Sequence, residues 1–333
     1  MSKRGTFYLT LNMILKATFE NIKYAAKQIR SGEVVAFPTE TVYGLGADGL
    51  NPTAVAKIFE AKKRPSFNPL ILHISSLNQF RDLVEVSNPK IEKLVKAFWP
   101  GPLTIVATKK DVVPELVSAD NPTVAIRMPN HPVAMELIKE SRRPIAAPSA
   151  NRFGFLSPTT AEHVEKQLGG NVGIILDGGK CKIGLESTIV EISKDNIFLL
   201  RHGGIESKEI EKICGKLDIK EISQKSPNAP GQLLHHYAPT VPIKFLEELS
   251  ILEAKNKKLA GLFFKENKTS LKFEKVEVLS PSGNLQEAAA NLFRHLHTLE
   301  SLDVGLIIVE SIKKTGLGVA IMDRLEKATN RYR

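Results

Sequence analysis

The sequence predicts an α/β protein: a twisted mixed sheet with covering helices, then a linker and a smaller α/β domain. Three observations carry this. Short apolar runs such as Val34-Val35-Ala36-Phe37 alternate with segments whose apolar residues recur at helical spacing, the pattern of strands that helices cover on both faces. The chain has 333 residues, beyond the usual reach of a single hydrophobic core, which predicts two domains. A stretch rich in proline and polar residues ending at Thr240 shows neither periodicity and reads as the connection between them.

Met1 to Asn12 carry Phe7, Leu9 and Leu11 in strand-like alternation, yet Met13 is an alternative start, and no function is assigned to this extension. Thr18 caps a helix with Ile22, Ala26 and Ile29 on one face, and Gly32 stops it. The strand from Val34 to Phe37 ends at Pro38. Asn51-Pro52 supplies an N-cap and first helical position for Val55, Ile58 and Phe59, so Lys62-Lys63-Arg64 falls at a helix C-terminus. Leu70-Ile71-Leu72 is a strand ending at His73. Ile91, Leu94, Val95 and Phe98 mark a helix ended by Trp99-Pro100-Gly101-Pro102, before the strand Leu103-Thr104-Ile105-Val106.

Val124-Ala125-Ile126 is a strand interrupted by Arg127, a position where clefts form in α/β sheets. Val133, Leu137 and Ile138 form a helix. Pro144-Ile145-Ala146-Ala147 then runs into the small polar residues Ser149-Ala150-Asn151, whose size lets backbone N–H groups approach an anion. Ser157-Pro158-Thr159-Thr160 opens a helix through Ala161, Val164 and Leu168, before a strand from Val172 to Leu176. Glu186-Ser187-Thr188-Ile189-Val190 and Leu199-Leu200-Arg201-His202-Gly203-Gly204 add a hydroxyl and an arginine at strand ends. In the second unit, strands near Leu259–Phe264 and Val304–Val309 flank a helix near Leu285–Leu296.

Several chemistries are excluded or weakened. Gly44-Leu45-Gly46-Ala47-Asp48-Gly49 matches the dinucleotide fingerprint by letter. In a true fingerprint the helix opens inside the motif and an acid follows roughly twenty residues on; here Asn51-Pro52 opens the helix later, and Arg64 to Leu70 contain no acid. No P-loop, nucleophile elbow or kinase signature is present. Cys181 and Cys214 lack metal-type spacing and do not make a disulfide framework. His295 and His297 are two apart on a helix and point to different faces, and His235-His236 has no evident third ligand, so no metal site is assigned.

The formal net charge of +10 points to anionic partners such as a nucleotide or RNA, although no basic run is interleaved with aromatics. Lys62 and Arg64 also have a plainer reading, as cations complementing a helix C-terminus. With no apolar run of roughly eighteen residues and no cleavable leader, a cytoplasmic protein with no membrane contact is expected.

Pro38-Thr39-Glu40-Thr41-Val42-Tyr43-Gly44-Leu45-Gly46, Lys62 and Arg64 with Asn68-Pro69-Leu70, Ser149-Ala150-Asn151, Ser157-Pro158-Thr159 and Glu186-Ser187-Thr188 together resemble, in order and spacing, the threonylcarbamoyl-adenylate synthase family, the superfamily also called YrdC. Pro230-Gly231-Gln232 with His235-His236-Tyr237-Ala238-Pro239 resembles the interdomain linker of its long form, and Gly316 to Leu325 the end of its C-terminal domain. His202 departs from the family, which usually has proline there. The resemblance implies an extension 1–14, a YrdC-like catalytic domain 15–222, a linker 223–240 and a Rossmann-like C-terminal domain 241–333.

It further implies a nucleotidyltransferase that joins L-threonine, bicarbonate and ATP into threonylcarbamoyl-AMP and pyrophosphate, for threonylcarbamoyl-adenosine formation next to the anticodon of tRNA. Thr41, His73, Arg127, Ala147 and Ser187 would form the threonine pocket. Arg64, Asn68, Thr123, Ser149, Ser157, Arg201 and Tyr237 would hold ATP. Lys62 and Asn151 would contact phosphate or carbamate oxygens, and Mg2+ would accompany the triphosphate. Tyr237 would reach across to ATP and make the linker a lid over the site. Contact with tRNA or other RNA, and downstream proteins that carry the product to tRNA, are the further partners implied. The alternatives are a non-catalytic RNA-binding or ribosome-maturation module, and a carbamoyltransferase acting on a protein from carbamoyl phosphate; dependence on bicarbonate and threonine separates them.

Overall fold

Eleven short strands, most of them apolar, assemble the larger sheet: β1 (Met13–Lys16), β2 (Val35–Phe37), β3 (Gly44–Asp48), β4 (Ile71–His73), β5 (Leu103–Thr108), β6 (Thr123–Arg127), β7 (Ile145–Ala146), β8 (Ile174–Asp177), β9 (Thr188–Ile192), β10 (Ile197–Arg201) and β11 (Asp218–Ile219). The computed structural model describes residues 13–86, 88–193, 196–219, 227 and 229–332; the extension Met1 to Asn12 lies outside them. Strand order is β1-β8-β2-β3-β7-β4-β6-β5-β9-β10-β11. The sheet is mixed, with β4 parallel to β6 and β5 to β9 but β2 antiparallel to β3 and β5 to β6.

The helices form where their caps direct. Thr18 accepts from the Asn21 N–H at the start of the helix Phe19–Arg30, and Asn51 accepts from Thr53 and Ala54 at the start of Pro52–Lys62. Ile22, Ala26 and Ile29 bury against Val35, Phe37 and Leu176 on one face of the sheet. Val55, Ile58 and Phe59 bury with Leu45 and Leu72 in the main core. The glycine fingerprint is not a phosphate loop. Gly44 to Asp48 is strand β3, and a side chain at Gly46 would collide with Ile145 and Phe37 at 2.6 Å, so close strand packing explains that glycine.

A second sheet holds β12 (Ile243–Phe245), β13 (Leu259–Phe263), β14 (Lys275–Val278) and β15 (Leu306–Val309) in the order β12-β15-β13-β14, all parallel. Helices Leu285–Glu300 and Gly318–Asn330 contribute Leu292, Phe293, Ile321 and Leu325 to its core. That core also takes in Val42, Leu156, Leu185 and Tyr237 from the preceding part of the chain. The two sheets therefore share buried apolar surface across the domain boundary.

Register places the polar residues. β4 and β6 bring His73 beside Arg127, and a bridge sets Gly44 beside Ser149. β5 pairs with β9 so that Leu103 lies opposite Thr188, and Thr104 meets the Ser187 hydroxyl at 2.7 Å. The ends of several strands converge on one pocket.

Candidate active site

Lys62 closes the helix Pro52–Lys62 yet is 1% exposed, so it does not serve as a solvated partner of the helix dipole. Its ammonium donates to the carbonyls of Ser149 and Asn151. Lys63 adopts φ 52° as the helix ends and faces solvent, and Arg64 turns back inside. Arg64 donates to the Asn68 side-chain oxygen at 2.6 Å and to the Pro69 carbonyl at 2.8 Å. From β10, Arg201 donates to the Ser187 carbonyl at 2.9 Å, the Ser187 hydroxyl at 3.1 Å and the Pro230 carbonyl at 3.1 Å. Among the described residues none of these three cations has a carboxylate partner. Buried charges are ordinarily paired, and here burial followed by Arg64 drives the Lys62 pKa well below its usual value, while burial also lowers that of Arg201. The arrangement is short of negative charge.

The other half of the pocket is balanced. Arg127 lies 2.6 Å from a Glu40 carboxylate oxygen, with both side chains buried. The contact is close but poorly aligned: both Glu40 oxygens and Arg127 Nη2 make no hydrogen bond, so Nη2 keeps donor capacity for an incoming carboxylate. Arg127 Nη1 donates to the Thr41 hydroxyl at 2.9 Å. Thr39 donates to the Val42 carbonyl at 2.6 Å, which leaves Thr41 to donate to Thr39 at 2.9 Å. His73 Nδ1 faces the Ile71 carbonyl at 3.3 Å, and burial, then Arg127, lowers its pKa to about 3. It is a neutral imidazole at ordinary pH.

The connection between the domains covers both halves. Pro230, Gly231, His236 and Tyr237 line the same pocket. Tyr237 is 1% exposed and holds φ 62°, a left-handed conformation uncommon for a bulky residue. Gly231, at φ 83°, is required: a side chain there would meet the Tyr237 hydroxyl at 2.4 Å. Burial and then Glu186 push the Tyr237 hydroxyl up to about 12, so it stays protonated.

Of the residues named from sequence, Thr41, His73, Arg127, Ala147, Ser187, Arg64, Ser149, Arg201, Tyr237, Lys62 and Asn151 all line this one pocket. Asn68 and Ser157 stand one contact behind it. Asn68 accepts from Arg64, and Ser157 donates to Glu186 at 2.5 Å. Thr123 starts β6, half-buried, at the end away from Arg127 and outside the lining. Sequence reasoning assigned no role to Glu40, Glu186 or Arg324. The first two lie inside quoted motifs as acids among apolar and hydroxyl residues, which was signal enough; Arg324 meets Glu186 only through the tertiary fold. Cys181 and Cys214 are buried free thiols whose pKa values burial raises. No cluster of three metal-ligating side chains occurs among the described residues, and no helix there is long and apolar enough to cross a membrane.

Fold and pocket define a two-domain α/β protein with a cation-lined cleft roofed by its interdomain segment. A family model described as "Telomere recombination" matches residues 27–203, and one described as "Threonylcarbamoyl-AMP synthase, C-terminal domain" matches residues 205–330. The threonylcarbamoyl-AMP synthase of Pyrococcus abyssi is 43% identical over 92% of this chain and 94% of its own length. That of Bacillus subtilis is 43% identical over 98% of each. The crystal structure of P. abyssi Sua5 complexed with L-threonine superimposes with a TM-score of 0.87 at 40% identity, covering 96% of this chain and 97% of that one. The chain belongs to the threonylcarbamoyl-AMP synthase family of enzymes, in its two-domain form.

Proposed function

We propose that this protein makes threonylcarbamoyl-AMP and pyrophosphate from L-threonine, bicarbonate and ATP, as a step of threonylcarbamoyl-adenosine formation on tRNA in the cytoplasm, its product passing to tRNA through downstream transfer proteins. The observation that carries the reading is a single buried pocket holding three cations without carboxylates, Lys62, Arg64 and Arg201, beside an arginine with free donor capacity, Arg127. A triphosphate supplies the charge the first group lacks. An amino-acid carboxylate suits the planar fork of the second.

The chemistry needs placement more than a protein nucleophile. The threonine amine and bicarbonate give a carbamate with loss of water. A carbamate oxygen then attacks the α-phosphorus of ATP, and the bond to pyrophosphate breaks. In this reading Arg127 and Thr41 hold the carboxylate and hydroxyl side of threonine, with neutral His73, Ala147 and Ser187 shaping the pocket. Arg64, Ser149 and Arg201 take phosphate and nucleoside groups, with Asn68, Ser157 and Thr123 in support. Lys62 and Asn151 sit where charge develops on phosphate or carbamate oxygens. Bringing three reactants together and neutralising charge in a dry site are what such a step demands.

Magnesium enters as the companion of the triphosphate. Glu186 is the carboxylate lining the pocket, and Ser157 and Arg324 already occupy both of its oxygens. The residues present therefore form no protein cage for a divalent ion, which would be held by phosphate oxygens, and no step is routed through it.

The free volume inside the pocket is about 50 Å³, against roughly 300 to 1,000 Å³ for ordinary small-molecule sites. The segment through Pro230 and Tyr237 therefore acts as a lid that lifts to admit ATP. A Tyr237→Ala protein with unchanged ATP affinity and turnover would remove the lid from this account. The reaction itself is tested by pyrophosphate release, with threonine and bicarbonate added singly and together and the nucleotide product weighed by mass spectrometry. Release needing both, with threonylcarbamoyl-AMP formed, is expected. Release independent of either, or none from a folded protein that binds RNA in a salt-sensitive way, overturns the reading.

A further inference from the structure

The C-terminal domain reaches the pocket through one side chain. Arg324 lies within the helix Gly318–Asn330, is 1% exposed, and heads the described side chains that are both large and fully buried. Ile321, Leu325 and Ala328 beside it on the helix belong to the apolar core. A guanidinium in that setting is a burden on stability unless its contacts require it, because buried ion pairs are often replaceable by apolar side chains without loss.

Its contacts point across the domain boundary. Nε donates to Glu186 Oε2 at 3.0 Å, and Nη1 donates to the His202 carbonyl at 2.8 Å and to Asp323 at 2.7 Å. The guanidinium stands 5.1 Å from the centre of the Tyr237 ring. Nη2 is buried without a hydrogen-bond partner. Glu186 and Tyr237 both line the pocket, while Arg324 does not.

The Glu186 carboxylate passes the constraint on: its other oxygen accepts from the Ser157 hydroxyl, and the Ser157 carbonyl faces His297 Nε2 of the same C-terminal domain at 3.2 Å. Consecutive residues are thus each gripped by an arginine, Glu186 by Arg324 and Ser187 by Arg201. The helix of Arg324 also grips the lid. Lys327 Nζ donates to the Gly231 carbonyl at 2.7 Å, and the Lys327 carbonyl accepts from the His236 N–H at 3.4 Å.

We propose that Arg324 is a positioning residue for the nucleotide half of the pocket: through Glu186 it orients Ser157, and with its guanidinium it sets the ring of Tyr237. The C-terminal domain then completes the site. The inference rests on reading this pocket as the ATP site.

Full-length Arg324→Gln and Arg324→Lys test it, with thermal unfolding recorded for each. A fluorescent ATP analogue and L-threonine are titrated separately, and pyrophosphate release gives KM for both. Arg324→Gln is expected to weaken analogue binding and raise KM for ATP by about tenfold or more, leaving threonine affinity within about twofold. Arg324→Lys should recover part of the loss, since it keeps the charge without the fork. Equal losses for ATP and threonine, or no loss, overturn the proposal. Should Arg324→Gln unfold, Arg324→Lys decides by the same split. A wild-type protein that binds the analogue but makes no threonylcarbamoyl-AMP would remove the proposed reaction, while the analogue titration would still judge Arg324.

Discussion

Arg127 and Lys62 are equally inaccessible side chains in one pocket, yet their charges are handled in opposite ways. Arg127 has the Glu40 carboxylate beside it, whereas Lys62 has only carbonyl oxygens and a positive neighbour in Arg64. The half around Arg127, proposed to take the amino acid, is balanced before any substrate arrives. The half around Lys62, proposed to take the nucleotide, is not, and a polyphosphate would relieve it. The fold thus stores its need for ligand on one side of the pocket, so substitutions on the two sides should separate stability from turnover.

The largest effect is expected for Arg127→Ala. It strands the Glu40 carboxylate, 5% exposed, and breaking a buried pair from one side costs about 3–5 kcal/mol. Thermal unfolding should show that loss, and threonine-dependent turnover should fall by about a hundredfold or more through KM for threonine. Adding Glu40→Gln should recover much of the stability and none of the turnover. If stability survives Arg127→Ala alone, the balanced half is not balanced by Glu40.

Lys62→Met should spare stability while it costs turnover. It removes a charge that burial already disfavours, so the change in unfolding free energy should stay within about 1 kcal/mol. ATP-dependent turnover should drop about a hundredfold, the scale of losing one donor to developing charge. A stability loss matching that of Arg127→Ala would abolish the distinction between the halves.

Ligand stabilisation sharpens the contrast further. Inorganic pyrophosphate at about a hundred times its Kd should stabilise the wild type by about 2.7 kcal/mol, read as a higher unfolding midpoint. The shift should shrink in Lys62→Met. A shift of the same size in both proteins would place the anion elsewhere.

Most of this was legible in sequence where the signal was local. Asn51-Pro52 and Thr18 cap the helices they promised, and the helix that Ser157-Pro158-Thr159-Thr160 was to open is capped by Thr160, because capping is settled within three residues. The motifs at strand ends converge because parallel pairing carries His73 and Arg127 to one level. The cationic cluster at the helix end could not be told from a dipole partner by sequence, since burial of Lys62 depends on the carbonyls of Ser149 and Asn151 far along the chain. Glu186 lies in a motif quoted for its hydroxyl, and its bond to Arg324 spans 138 residues, a pairing no local pattern announces. Thr123 was assigned by family position alone, and the strand carries it away from the lining.

The smallest expected effect separates the halves by pH. His73 belongs to the balanced half, and burial, then Arg127, lowers its pKa from 6.5 to about 3. Between those values the unfolded chain binds the proton and the folded one does not, so stability rises with pH across the window and is lost as pH falls from 6.5 toward 3. His163 has the same window, lowered to about 3 by burial and then by His297, against which it stacks at 3.9 Å across the domain boundary. The nucleotide half enters the same window through His236, whose pKa burial, then Arg64 and Lys62, lower well below its usual value. Unfolding midpoints measured in steps from pH 7 to 4 should therefore decline in wild type, and less steeply in His73→Gln. An acid-induced loss that His73→Gln leaves unchanged would mean that imidazoles outside the balanced half govern stability in acid.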